Sequence, residues 1–138
     1  MSTQIFENKM KVRDYECDGQ GVVNNANYLH YFEHTRHEFM ESCGIRLRDL
    51  TAENILPVVR SANLKYKNSL RGSEEFICTA RIERKGLRYL FHQQIRRIPD
   101  NTLCAEAVIE VVCVIGGKVN APAMFDKAFA DYIEWLDK

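Results

Sequence analysis

The spacing of apolar and polar positions changes character twice along the chain. Between Lys9 and Asp14, Met10 and Val12 alternate with Lys9, Lys11 and Arg13, which predicts a first strand. A glycine-containing loop follows, Asp18-Gly19-Gln20-Gly21. Leu29, Phe32, Phe39, Met40 and Cys43 then recur at spacings near three and four, predicting a helix of about nineteen residues with one apolar stripe. Asn24 or Asn25 suits its N-cap, because an amide oxygen there accepts from an orphan backbone N–H. Gly44 suits its stop, since glycine tolerates the left-handed conformation that ends helices. Leu47 to Leu50 predicts one further helical turn.

Beyond that point the period becomes two. Leu56 to Tyr66 reads as a strand. In Glu75 to Glu83, the side chains of Phe76, Cys78, Ala80 and Ile82 share one face. Tyr89, Phe91 and Ile95 alternate in the next strand, and Leu103 to Ile115 is apolar on both faces from Ala107 onward, as in a central strand. Lys85-Gly86 and Pro99-Asp100-Asn101 supply hairpin turns. Phe125, Phe129, Ile133 and Leu136 predict an amphipathic terminal helix. The order is strand, loop, long helix, four long strands, helix. Tight turns between successive strands imply an antiparallel sheet, and the long helix has the stripe needed to cover one face of it. The expected class is α+β: a five-stranded antiparallel sheet wrapped around a long central helix, with a C-terminal helix. Its long edge strands invite pairing with a second copy.

Composition narrows the function. With 138 residues, three prolines, seven glycines and no repeat, residues 1–138 read as a single domain. Nineteen basic and nineteen acidic residues balance, so there is no general case for a nucleic-acid partner. No apolar run approaches the ~18 residues of a membrane span, and Met1 to Glu7 lacks the apolar core of a signal peptide. A cytoplasmic protein with no membrane partner is expected. The five cysteines are odd in number and form no C-x-x-C pair; they read as small buried hydrophobes in a reduced compartment. His30-Tyr31-Phe32-Glu33-His34 matches a zinc-peptidase pattern, with His37 one turn on, but nothing downstream suggests a third ligand. No metal and no cofactor are expected.

Two places carry candidate chemistry. Arg84, Lys85 and Arg88 concentrate charge at a hairpin and either hold phosphate groups or form a solvated turn. The other place is Val12 to Leu29. There a carboxylate, Asp18, stands in a loop between a strand and a helix start. The helix tip offers unpaired N–H groups and a partial positive charge, which suit a developing oxyanion. A carboxylate facing that tip can attack a carbonyl or activate water. For an isolated aspartate near glycine, the commoner role is to stabilise the turn.

The segment Asp18, Gly21-Val22-Val23, Asn24-Asn25, Tyr28 resembles the signature of the hotdog-fold thioesterases, in the branch that contains 4-hydroxybenzoyl-CoA thioesterase and related acyl-CoA thioesterases. Tyr31-Phe32-Glu33-His34-Thr35-Arg36 continues the likeness. The resemblance implies the hotdog fold, a homodimer or a dimer of dimers (homotetramer) with active sites at the dimer interface, and a place in fatty-acid metabolism. It implies hydrolysis of an acyl-CoA or acyl-carrier-protein thioester to free acid and thiol. Asp18 would be base or nucleophile, and amides near Asn25 would polarise the carbonyl. Asn25 itself either orients water or caps the helix. Substrate contacts would come from Tyr15, Val22, Asn24 and Tyr28, with the CoA phosphates near Arg84, Lys85 and Arg88. Many bacterial relatives carry Tyr-His in place of Asn24-Asn25. The Val-Asn-Asn form resembles a branch acting on longer fatty-acyl thioesters, including plant acyl-carrier-protein thioesterases. The alternative is a non-catalytic acyl-CoA-binding or assembly protein on the same fold.

Overall fold

Alternation of apolar residues along four long segments produces a single curled sheet, antiparallel except for its last short strand. A computed structural model describes residues 3–136 of the chain; Met1 and Ser2, part of the polar start, and Asp137 and Lys138 lie outside the described residues. The strands are β1 (Phe6–Lys11), β2 (Ile55–Tyr66), β3 (Glu75–Lys85), β4 (Arg88–Ile98), β5 (Thr102–Ile115), β6 (Lys118–Asn120) and β7 (Ile133–Leu136). The helices are α1 (Asn25–Ser42), α2 (Leu47–Ala52) and α3 (Ala123–Ala128). The five long strands run in the order β1-β3-β4-β5-β2, with β6 on β5 and β7 on β3. No described helix is long and apolar enough to cross a membrane.

The predicted inward face of β3 is the real one: Phe76, Cys78, Ala80 and Ile82 are all fully buried. They share the buried face of the sheet with Tyr89, Phe91 and Ile95 of β4 and, one strand further on, Ala105, Ala107, Ile109 and Val111 of β5. Against this surface α1 lays Phe32 and Phe39; Tyr31 sits 4.8 Å from the Phe76 ring. Burying each such side chain contributes about 1.5–3 kcal/mol. The helix stripe is rotated from the one expected. Tyr28 and Tyr31 face the sheet, whereas Leu29 is 44% exposed.

Two other expectations are corrected. The first strand lies earlier than Lys9 to Asp14, because Asp14–Glu16 forms a 3-10 turn closed by reciprocal Arg13–Glu16 bonds. The terminal helix is short. The Phe129 carbonyl accepts from the amides of Tyr132 and Ile133, which turns the chain, and Ile133–Leu136 then pairs in parallel with Ile82–Lys85. β1 covers the outer edge of β3 only from Glu75 to Ala80, so the rest of that edge was open to a β-branched, aromatic segment. The apolar spacing of Phe125, Phe129 and Ile133 still reflects burial of all three.

The opposite edge differs. β2 pairs with β5 along its whole length and has no partner on its other side among the described residues. Leu56, Val58, Val59 and Tyr66 on it are exposed.

Candidate active site

The loop before α1 is a tight hairpin folded back on itself. Cys17 and Val23 form an antiparallel bridge, Asp18 N–H donates to the Val22 carbonyl, and Gly21 N–H donates to the Asp18 carbonyl. Gly21 has φ +79°, a conformation that a side chain would strain. Val22, half-buried, bridges to Arg71, and Val23 N–H donates to the Leu70 carbonyl, which anchors the hairpin beside the start of β3.

Asp18 stands exposed on this hairpin. Its Oδ1 accepts from Gln20 N–H at 2.8 Å and from Val22 N–H at 3.4 Å. The second carboxylate oxygen makes no hydrogen bond among the described residues. Asp18 therefore has the turn-stabilising role that its neighbours suggested, with one oxygen left over. Asp18 opposes Val22, so it stands two strand positions from Asn24, roughly 7 Å along the hairpin. No hydrogen bond joins it to the helix tip among the described residues.

The tip of α1 is organised by asparagines. Asn24 Oδ1 caps the Ala26 N–H at 3.0 Å, and Asn27 N–H donates to the Asn24 carbonyl. The Asn25 amide, first in the helix, is then the donor left without an intrahelical acceptor. The Asn25 side chain is exposed and does not cap. Tyr28, in contrast, is buried: its hydroxyl accepts from Leu70 N–H at 3.0 Å, its ring packs against Tyr66, and burial pushes its pKa up. It braces the tip against the segment before β3. Tyr15 is 79% exposed, with the Arg13 guanidinium over its ring.

The basic hairpin lies elsewhere. Its position at the far end of β3 from Glu75 puts it roughly 30 Å from the Asp18 end of the same chain. Arg84 pairs with Asp126, donates to the Gly86 carbonyl and stacks on Trp135, with ring centroid 4.5 Å away. Arg88 approaches Glu110 at 3.5 Å. Lys85 is half-buried and has no ion-pair partner among the described residues. His30 and His34 are exposed and His37 is half-buried. Among the described residues, no group of three or more His, Cys, Asp or Glu side chains is placed to hold a metal ion.

Two polar residues that the pattern reading passed over, Glu16 and Gln93, hold α1 in place together with Arg36. Glu16, only 7% exposed, accepts from Arg13 and from the Tyr31 hydroxyl. Burial opposes its ionisation, but bonds from the Arg13 side chain and backbone and from Tyr31 outweigh that, so its pKa lies below the usual glutamate value. Gln93 interrupts the inward series of β4; it accepts from Arg36 and donates to the Phe32 carbonyl, linking the middle of α1 to the sheet. A polar residue at a core-facing strand position was the signal for Gln93. Arg36 is itself buried, which lowers its pKa, although Glu33 opposes this. A groove of about 350 Å³ runs between α1, α2 and the start of β2, lined by Met40, Leu50, Ile55, Pro57 and Phe91 among others.

A curled sheet embracing one long helix is the architecture of the hotdog class. Residues 12–133 match the model of the Thioesterase-like superfamily, and the chain belongs to that family. It is 36% identical over 106 residues to the acyl-acyl carrier protein thioesterase ATL3 of Arabidopsis thaliana, covering 76% of this chain and 56% of that protein. The chain thus matches about half the length of this plant relative. It is 32% identical over 115 residues to the long-chain acyl-CoA thioesterase FadM of Escherichia coli, covering 83% of each. A 1,4-dihydroxy-2-naphthoyl-CoA thioesterase from Synechocystis superposes with a TM-score of 0.86 over 93% of this chain and 97% of that one; at 17% identity it bears on the fold alone.

Proposed function

We propose that the chain hydrolyses acyl thioesters, carried on CoA or on acyl carrier protein, to free acid and thiol, with Asp18 as the catalytic carboxylate. The observation that carries this reading is the state of Asp18: one oxygen is anchored by loop amides and the other is without a partner among the described residues, on a hairpin beside the first-turn amide of α1, which has no intrahelical acceptor. The thioester carbonyl lies against the Asn25 N–H, which stabilises charge developing on its oxygen. Asp18 attacks the carbonyl carbon itself or removes a proton from an attacking water. Either route breaks the carbon–sulfur bond and sends the electron pair to sulfur; direct attack leaves an acyl–Asp18 anhydride, which water then cleaves to restore the carboxylate. Water supplies the oxygen of the acid and the proton that ends on the thiol. Family membership and the activities named for ATL3 and FadM support this chemistry.

A second copy completes the site. The bare, apolar edge of β2 pairs antiparallel with the same edge of a partner, forming a homodimer that is able to associate further into a dimer of dimers. Antiparallel pairing sets the Ile55 end of one β2 beside the Tyr66 end of the other. The partner's basic hairpin is then brought to the Asp18 end of this subunit, where Lys85 and Arg88 meet the phosphates of CoA. Arg84, caged by Asp126 and Trp135, shapes that hairpin. Tyr15, Val22 and Asn24 border the thioester, and Tyr28 supports them from below. The groove beside α1 receives the acyl tail. Its lining begins at Glu33 and ends beyond Met40, about 12–22 Å from Asn25 along the helix, which suits a long apolar chain.

The test is release of free thiol from a panel of acyl-CoA and acyl-carrier-protein thioesters. Turnover that rises with chain length is expected. Binding of thioesters without hydrolysis of any of them would replace this reading with that of an acyl-binding protein.

A further inference from the structure

We infer that Glu16 is the positioning residue of this site, locking the Asp18 hairpin to the first two turns of α1. The inference rests on the thioesterase reading above. Glu16 lies two residues before Asp18 and accepts six hydrogen bonds. Its Oε1 accepts from Arg13 N–H and from the Tyr31 hydroxyl, each at 2.8 Å. Its Oε2 accepts from Arg13 Nε at 3.1 Å and Arg13 Nη2 at 2.8 Å. Its backbone carbonyl accepts from Asn24 N–H at 3.0 Å and from Asn27 Nδ2 at 2.7 Å.

The helix side of these bonds has a regular spacing. Asn24, Asn27 and Tyr31 are three and then four residues apart, so they share one face of the helix start, and that face is turned to Glu16. The loop side is just as direct: Cys17 alone separates Glu16 from Asp18, and Cys17 is held in its bridge to Val23. A carboxylate nearly removed from water retains this position only while its acceptor capacity is filled, which here requires Arg13 and Tyr31 together. Losing the Glu16 carboxylate leaves the Asn24 and Asn27 bonds to its backbone carbonyl but removes the tie to Tyr31 and Arg13, so Asp18 and the Asn25 amide are held less firmly relative to one another. A misplacement of ~1 Å at a reacting centre costs about 100-fold in rate. Glu16 touches neither substrate nor the reacting atoms; it acts through the geometry of the two groups that do.

The experiment compares wild type, Glu16→Ala, Glu16→Gln, Tyr31→Phe and Ile133→Ala on a thioester that the wild type hydrolyses, measuring kcat, KM and the thermal midpoint. Ile133 is a buried residue of β7, remote from the loop, and serves as a destabilised control. We expect kcat to fall roughly 10–100-fold for Glu16→Ala with KM little changed. Glu16→Gln retains an acceptor for Tyr31 but presents an N–H to the Arg13 guanidinium, so its kcat falls between wild type and Glu16→Ala. Tyr31→Phe loses a few-fold in kcat, and Ile133→Ala loses stability but not kcat. If Glu16→Ala does not fold, Tyr31→Phe and Glu16→Gln decide. Wild-type kcat in the folded variants, or losses no greater than the thermal midpoint alone produces in Ile133→Ala, would overturn the inference. An inactive wild type on every thioester overturns the functional reading first, and is recognised from the wild-type arm alone.

Discussion

The two ends of the β3–β4 pair are built differently, and the proposed function gives each a separate share of one chemistry. At the Glu75 end, loop and helix tip are tied by a dense set of hydrogen bonds around Glu16, Tyr28 and Asn24, and Asp18 is left exposed with a free oxygen. At the Lys85 end, cations gather on a turn backed by aromatic rings, with Arg84 held between Asp126 and Trp135. One end holds its loop and helix tip together through many short hydrogen bonds. The other offers charge on a surface, where position matters less because a Coulombic contact falls off slowly. The strand length keeps them roughly 30 Å apart in one subunit. In the proposed dimer, the β2 edge, unpaired among the described residues, brings the two together by adding a second copy in antiparallel register.

The comparison breaks most completely if the edge is blocked. Leu56→Lys with Val58→Lys places two charges on the exposed face of β2, which opposes strand pairing. Light scattering should report a monomer, and thioesterase activity should fall about 100-fold as the shared site comes apart. A fully active monomer would show that both ends of one subunit serve separate purposes. A milder break is Lys85→Ala with Arg88→Ala. This should raise KM for acyl-CoA about tenfold and leave kcat unchanged, since charge-assisted phosphate contacts contribute about 1.5–3 kcal/mol each before screening by solvent. The salt dependence of KM should flatten in the same variant. Unchanged KM and salt response would remove the hairpin from phosphate binding.

The smallest effect is on acid stability and sharpens the Asp18 end. Glu16 is ionised more readily in the fold than its ordinary value of 4.5, because Arg13 and Tyr31 bind the charged form. Its contribution to stability is therefore complete above about pH 4.5 and is lost as pH falls through the lower value in the folded state. Thermal midpoints of wild type and Glu16→Gln should converge in that acid range and separate above it. Parallel curves throughout would show that the Glu16 charge adds nothing.

How much of this was legible in the sequence depends on the range of the interaction. The faces of β3 and β4 followed from alternation, because Phe76, Cys78, Ala80 and Ile82 need only local geometry to share a side. The bounds of α1 followed from Asn24 and Gly44, both of which act within one turn. β7 was hidden. Phe125, Phe129 and Ile133 repeat at helical spacing, and only the uncovered stretch of β3 beyond Ala80 makes the last of them a strand residue. The rotation of the α1 stripe from Leu29 to Tyr28 and Tyr31 was hidden for a similar reason. Their hydroxyls find Leu70 N–H and Glu16 at sequence separations of 42 and 15 residues, which no local pattern encodes. At the candidate site, the motif pointed to Asp18 and the helix start, and the fold sets both on one short hairpin-to-helix unit. Glu16 was passed over because a charged residue beside a loop ordinarily faces water, and its burial depends on Arg13 and Tyr31 arriving together.

The most direct measurement is single-turnover hydrolysis of a long-chain acyl-CoA by wild type and Asp18→Asn. Asparagine keeps a carbonyl oxygen to accept from Gln20 and Val22 N–H, so the loop is preserved while the base or nucleophile is lost. A fall of at least ~100-fold at unchanged thermal stability is the predicted result. An Asp18→Asn enzyme as fast as wild type would leave Asp18 a turn-forming residue and contradict the account.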